Sequence, residues 1–365
     1  MHFLSKIPAK RLKGLRVLLR IDANIESEGE SFRLNAVVPT IRFLLERGAK
    51  VILMSHRGRP KSREKSLSMR PVARALGRRV KRTITFIPDL DFTAIRKKIN
   101  TFRSPIVLLE NLRFYPGEHE NDLAFAKQLA SLGDIYVNDA FSVSHRDEAS
   151  IVGITRFLPS YAGLLFEKEI ANLSHAIRDV RRPLVLLVGG AKVPEKLSFI
   201  EAFQKRADAM LVGGVIANTL LKAGGMDIKK SIYDENYLTR AKKLLSSKNL
   251  VLPMDFLSDK GKIRDIGPLS VARFELHIRC ARTIIWNGPM GLFETKRFAG
   301  GTNAVARAIT KSRAFSIVGG GDTSQFIMQN HLSKCIGFLS TGGGAMLEYL
   351  EKGTLPGIKA LGKAN

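Results

Sequence analysis

Ile317-Val318-Gly319-Gly320-Gly321-Asp322-Thr323-Ser324 runs β-branched residues straight into three glycines, an acid and two hydroxyl side chains. That order reads as a buried strand, a tight turn and a helix start. Glycines let the backbone approach a ligand closely, and free N–H groups at a helix start suit an anion, phosphate above all. Asp322 beside such a phosphate is a natural magnesium ligand. A glycine-rich turn in any doubly wound sheet carries the same pattern, so the other segments must decide.

Those segments fall into two sets. In the first half, apolar runs are followed by Asp22-Ala23-Asn24, by Ser55-His56-Arg57-Gly58-Arg59-Pro60, by Glu110-Asn111-Leu112-Arg113-Phe114, and by Asn138-Asp139-Ala140-Phe141 with His145-Arg146. Arg33 is expected just before the first helix. Arginine grips carboxylate or phosphate with two N–H groups, and histidine adds a tunable donor. Such a set implies a pocket for a small, multiply charged anion. In the second half, the runs lead into Gly189-Gly190-Ala191-Lys192-Val193-Pro194-Glu195-Lys196, Gly213-Gly214, Asn287-Gly288-Pro289-Met290-Gly291-Leu292-Phe293-Glu294, Gly319 to Thr323, and Ser340 to Ala345. Repeated glycine turns with two lysines suggest a nucleotide with several phosphates. No GxxxxGK[ST] loop occurs. Ser324 and Leu347 stand where a third GxGxxG glycine belongs, so P-loop and dinucleotide-binding patterns are both absent.

The elements that would position these residues alternate. Strands are expected at Arg16 to Asp22, Val51 to Met54, Ile84 to Ile87, Ile106 to Leu109 and Ile135 to Val137, with helices at Ala36 to Arg47 and Asp122 to Leu132. From Ala162 to Ile170 one longer helix is expected. A second set of strands follows: Leu184 to Val188, Ala209 to Val212, Leu250 to Leu252, Thr283 to Trp286, Ser316 to Val318 and Ile336 to Leu339. Such alternation predicts an α/β chain of two doubly wound parallel-sheet domains, with ligands at the C-terminal strand ends. The expected boundaries are residues 1–162, a joining helix at 163–178, and residues 179–351.

At 365 residues, 45% hydrophobic and 25% charged, the chain has the length and composition for two globular domains. No apolar run approaches a membrane span, the N-terminus lacks a signal-peptide core, and a cytoplasmic monomer is expected. Cys280 and Cys335 form no metal or disulfide pattern and read as buried thiols in a reducing cytosol. The formal charge of +26 invites an alternative, a basic polyanion-binding or scaffold protein. Residues 51–100 hold 14 basic and 3 acidic residues. Yet Val72, Ala73, Ala75, Leu76 and Val80 recur at helical spacing between the arginines of 70–82, which reads as a solvated basic face. Nucleic-acid-binding signatures are absent, leaving non-specific charge attraction.

Taken in order, the segments resemble the phosphoglycerate kinase family from end to end. Arg20-Ile21-Asp22-Ala23-Asn24, Ser55 to Pro60, Glu110 to Phe114, Asn138 to Phe141, Gly189 to Val193, Trp286 to Glu294, Gly319 to Thr323 and Ser340 to Ala345 with Leu355-Pro356-Gly357 carry the resemblance. It implies magnesium-dependent, reversible phosphoryl transfer between 1,3-bisphosphoglycerate and ADP, giving 3-phosphoglycerate and ATP. By resemblance, Asp22, Ala23, Asn24, Arg33, His56, Arg57, Gly58, Arg59, Arg113, His145 and Arg146 would hold the phosphoglycerate. Gly190, Ala191, Lys192, Lys196, Gly214, Asn287, Pro289, Leu292, Glu294, Gly320, Gly321, Asp322 and Thr323 would hold the nucleotide, with magnesium at Asp322. Arg33, Lys192, Gly320 and Gly321 would neutralise the moving phosphoryl group. The family pattern also implies a hinge near 163–178 and a tail, about 352–365, packed back on the first domain. The chain departs from the pattern at Ala23, Ile25-Glu26, Arg57, Ser142-Val143-Ser144, Pro194-Glu195 and Lys262-Ile263-Arg264.

Overall fold

The computed structural model describes residues 1–25, 32–101 and 104–363. Glu26, one of the departures, lies outside them, as do Ala364 and Asn365 at the end of the tail. The packing divides the chain into two compact units, Met1–Ala171 with Thr354–Asn365, and Asn172–Gly353.

In the first unit six strands form one sheet: β1 (Arg16–Arg20), β2 (Lys50–Met54), β3 (Thr85–Ile87), β4 (Ile106–Leu109), β5 (Ile135–Asn138) and β6 (Ser160–Ala162). Their order is β3-β4-β2-β1-β5-β6, and every pairing is parallel. Valine, isoleucine and leucine run continuously because helices bury both faces, so the strands show no alternation of polar and apolar residues. Arg20 is the exception, a charged side chain at 0% exposure at the end of β1. Crossing from β1 to β2 is the helix Phe32–Glu46, whose Leu34, Val37, Val38, Ile41 and Leu44 enter the core. It begins before the expected Ala36, so Arg33 lies inside its first turn rather than ahead of it.

The basic helix Arg70–Val80 buries Val72, Ala73, Ala75, Leu76 and Val80, so its arginines fall on the opposite face. Arg78 and Arg79 stand in its last turn, where cations complement the exposed carbonyl end. Arg79 also donates to Asn35 Oδ1 (3.0 Å) and Ala75 O (2.9 Å).

Residue 162 proves to end strand β6, and the helix there is Leu164–Arg178. Asp139, just after β5, accepts from the Phe166 amide at 3.1 Å and so anchors its first turn. The helix starts in the first unit and ends in the second. Near the C-terminus the chain returns to the first unit, where Gly357 N donates to Ser144 O at 2.9 Å.

The second unit repeats the scheme with β7 (Leu184–Val188), β8 (Ala209–Val212), β9 (Leu250–Val251), β12 (Thr283–Asn287), β13 (Phe315–Gly319) and β14 (Phe338–Leu339). The order is β14-β13-β12-β7-β8-β9, again all parallel. Sequence periodicity missed an antiparallel hairpin, β10 (Phe256–Asp259) with β11 (Lys262–Ile266). Its strands are mostly polar and partly exposed, so no apolar run marks them. Ile336 falls ahead of β14 rather than within it. Both cysteines are exposed, contrary to expectation. Cys280 closes the helix Pro268–Cys280 and Cys335 a short 3-10 turn, and element ends sit at the surface.

Trp286, the single tryptophan, is fully buried on β12 and packs in the same cluster as Phe274 and Ile278. Its fluorescence therefore reports on the second unit. Phe274→Ala should lower that unit's stability by about 3–5 kcal/mol. In a denaturant titration followed at Trp286, the midpoint should fall clearly below wild type.

Candidate functional site

In each sheet the reactive residues lie beyond the C-terminal strand ends, where strand order reverses around β1 and β5 or around β7 and β12. Loops diverge at such a reversal and leave a crevice.

The first half-site is built on β1, β2, β4 and β5. Asp22, 5% exposed, accepts from the Asn24 amide at 3.0 Å and from the Ser142 hydroxyl. Arg33 NH1 stands 3.5 Å from Asp22 Oδ2 and donates to Asn24 O at 3.0 Å. Burial pushes the Asp22 carboxyl up, but Arg33, His56 and the Ser142 and Asn24 donors together hold it below the usual carboxylate range. Asn24 Oδ1 in turn accepts from Gly58 N at 2.8 Å. Gly58 has φ +63, and a Cβ there would stand 2.8 Å from Leu67 Cδ2, so this turn requires glycine. Gly58 O accepts from Arg113 NH1 at 2.8 Å.

His56, 2% exposed, has its Nδ1 3.2 Å from Arg20 NH2. A guanidinium can only donate, so Nδ1 is the acceptor and the ring proton sits on Nε2. Burial and the Arg20 charge, with smaller help from Arg113 and Arg146, lower His56 well below the ordinary imidazole range against the pull of Asp22. His56 is therefore a neutral donor through Nε2. Arg146 is half-buried and Arg59 exposed. Arg57 directs its guanidinium away to backbone carbonyls of Ile25 (3.0 Å) and Ser66 (2.8 Å). Ala23, fully buried, and half-buried His145 complete the expected set.

The structure gives roles to residues that the motif reading quoted without one, Asn111 and Arg20, and adds Glu148. Asn111 spends its side chain on Arg57, Leu67 and Arg113 backbone groups. Arg20 donates to Ser150 Oγ at 2.8 Å, and Glu148 faces Arg20 at 3.8 Å and Arg113 at 3.0 Å. A signal existed for Arg20, since a charge inside an apolar strand needs a buried partner. Two departures acquire roles as well: Ser142 serves Asp22, and Arg57 ties its loop to Ile25.

The second half-site centres on Lys196, 7% exposed on the helix Val193–Phe203, with its ammonium donating to Gly189 O. A Cβ on Gly190 or on Gly288 would stand 2.7 Å from that nitrogen, so the glycines form a cradle around it. A Cβ on Gly214 would approach Gly190 N to 2.6 Å. Gly320, φ +99, caps the helix Gly321–Gln329, and a Cβ there would meet Asn287 Nδ2 at 3.2 Å. That Nδ2 is buried and has no hydrogen-bond partner in the structure. Thr323 Oγ1 accepts from Gly288 N at 2.8 Å and locks the two turns together. Ala191, Lys192, Gly321, Asp322, Leu292 and Glu294 are exposed, whereas Pro289 is buried. Pro194 occupies the first turn of its helix, where a missing N–H costs nothing.

The chain is thus two parallel-sheet α/β units, one with an arginine–histidine cluster and one with a glycine-and-lysine cradle at the strand ends. Its relatives place it among kinases, which are phosphotransferases. The sequence model of the family described as "Phosphoglycerate kinase" matches residues 7–353. The chain belongs to that family. It is 42% identical to "Phosphoglycerate kinase" of Coprothermobacter proteolyticus, covering 98% of each chain. It is 41% identical to the protein of the same description from Moorella thermoacetica, covering 96% of this chain and 97% of that one. Among solved structures, "Crystal structure of Phosphoglycerate Kinase from Pyrococcus horikoshii OT3" superposes with a TM-score of 0.89 at 33% identity, covering 99% and 98% of the two chains. "Structure of phosphoglycerate kinase from Coxiella burnetii" gives 0.82 at 36% identity, covering 99% of each. These likenesses do not favour a basic scaffold. No helix among the described residues is long and apolar enough to cross a membrane.

Burial lowers the Lys196 ammonium to about 8; Asp322 opposes the fall and Lys192 adds to it. Between that value and the ordinary 10.5, the unfolded chain holds a proton that the folded chain has released. Stability of the ligand-free protein should therefore rise with pH across that window. Lys196→Met should remove this component. Comparing wild-type and variant unfolding curves from pH 7 to 11 checks it.

Proposed function

We propose that the chain transfers a phosphoryl group reversibly between 1,3-bisphosphoglycerate and ADP, giving 3-phosphoglycerate and ATP. What carries this reading is the pairing of the two half-sites with the family membership. The first offers fixed guanidiniums and a neutral His56 donor for a small polyanion. The second offers a lysine in a glycine cradle for phosphates.

In the first unit, Arg33, His56, Arg59, Arg113 and Arg146 hold the phosphoglycerate anion. Asp22 and Asn24 accept from its hydroxyl, and Gly58, Ala23, Arg57 and His145 shape the loops around it. In the second, Lys192, Lys196 and the Gly320–Thr323 turn hold nucleotide phosphates over Gly190, Ala191 and Gly214. Asn287, Pro289, Leu292 and Glu294 line the adenosine side, with Glu294 accepting from ribose hydroxyls.

A β-phosphate oxygen of ADP attacks the acyl phosphorus, the bond from phosphorus to the acyl oxygen breaks, and the electron pair leaves with the carboxylate. The leaving group is already a good one, so no protein nucleophile is needed. The residues align donor and acceptor and offset the charge on the moving group. Arg33, Lys192 and the Gly320 and Gly321 amides take that second role.

Asp322 is the residue for magnesium. It is a single exposed carboxylate in the first turn of Gly321–Gln329, and no cluster of three metal-ligating side chains occurs among the described residues. That donor set fits an ion bound mainly through substrate phosphates. Magnesium would supply charge neutralisation on those phosphates. The helix Leu164–Arg178 is assigned as the hinge of the family's domain closure.

A coupled assay with 3-phosphoglycerate, ATP and magnesium should give turnover. Arg33→Ala and Lys192→Ala should each lower kcat by about 10²–10³-fold with smaller changes in KM. Binding of both substrates without turnover by the wild-type protein would rule the reading out.

A further inference from the structure

In the first unit, three guanidiniums and the His119 ring converge on one buried carboxylate. Glu148 Oε1 accepts from Arg113 NH2 at 3.0 Å and lies 3.3 Å from His119 Nδ1 and 3.6 Å from Arg146 NH1. Its Oε2 lies 3.8 Å from Arg20 NH2. The Glu148 side chain is 3% exposed, those of Arg20 and Arg113 0% and 2%. Glu118, also fully buried, backs the group by accepting from Ser150, which in turn accepts from Arg20.

Guanidiniums brought this close repel one another, and burial removes the water that would screen them. A carboxylate among them offsets the repulsion, and its hydrogen bond from Arg113 NH2 fixes that guanidinium, while Arg146 and Arg20 at 3.6 and 3.8 Å feel its charge alone. Burial pushes the Glu148 carboxyl up, but Arg20, Arg113 and Arg146 outweigh it, so it stays ionised. A buried anion is a poor partner for an anionic substrate. Its influence must run through the arginines.

We propose that Glu148 is the positioning residue of the anion pocket: it orients Arg113 through a hydrogen bond and draws Arg146 beside it by charge, so that both face the substrate. This rests on reading the first unit as the phosphoglycerate half-site. One consequence separates positioning from mere support. The carboxylate reduces the positive potential of the pocket while improving its geometry. Losing it should help a small symmetric anion and harm a substrate that needs oriented partners.

The test uses full-length Glu148→Gln, which keeps the shape and removes the charge, and Glu148→Asp, which keeps the charge and shortens its reach. Kinetics are measured for 3-phosphoglycerate and ATP, with sulfate as a competitive probe of the pocket. For Glu148→Gln, kcat/KM for 3-phosphoglycerate should fall about 10- to 100-fold. The KM for ATP should stay within about twofold, while sulfate inhibits more strongly, by roughly threefold or more. Glu148→Asp should show the loss of kcat/KM without the gain for sulfate. If the Gln variant does not fold, the Asp variant decides. Unchanged 3-phosphoglycerate kinetics, or loss of substrate and sulfate response by the same factor, overturns the proposal. A wild-type enzyme inactive toward 3-phosphoglycerate overturns the functional reading instead. Sulfate binding measured directly on the three proteins then judges the positioning: no tightening in Glu148→Gln refutes it.

Discussion

A pocket for a multiply charged anion must hold several like charges together before the anion arrives. The first unit meets that constraint with buried carboxylates. Asp22 sits against Arg33, and Glu148 sits among Arg20, Arg113 and Arg146. Each is worth having only because its partners are present, since breaking a buried pair strands a charge. Much of the loop geometry follows from this requirement. Arg113 holds the Gly58 carbonyl, Asn24 holds the Gly58 amide, and Arg20 selects the His56 tautomer.

The second unit solves a related problem with backbone. Its charge is one buried lysine, and the space around that lysine exists because Gly190 and Gly288 lack side chains. The cost of burying the ammonium shows in its lowered affinity for a proton. An anion beside it would oppose that shift and hold the proton more firmly. The Asn287 amide nitrogen is buried beside the same turns and has no hydrogen-bond partner among the described residues.

The overall charge of +26 belongs to a different level of description. In the helix Arg70–Val80 the arginines lie opposite a buried face, and Arg79 is tied to Asn35 and Ala75. Such surface charge bears on solubility and long-range attraction of anions, not on fold.

Strand positions and the doubly wound class were legible in the chain, as were the loops that follow the strands. Buried parallel strands leave continuous apolar runs, and ligand-binding loops follow them directly. The basic helix was legible too, because its period is local. Sequence alone could not place what depends on contacts distant in the chain. Glu148 is 128 positions from Arg20, and nothing near either residue signals the other. Arg57 stood in a motif beside His56, but only the folded loop turns its guanidinium toward backbone carbonyls. The polar hairpin β10–β11 and the exposed cysteines were missed because neither edge pairing nor surface position leaves a periodic mark. Residue types and spacing thus determined the chemistry available. Tertiary structure decided which charges are buried together, because burial and Coulomb energy depend on distance in space rather than along the chain.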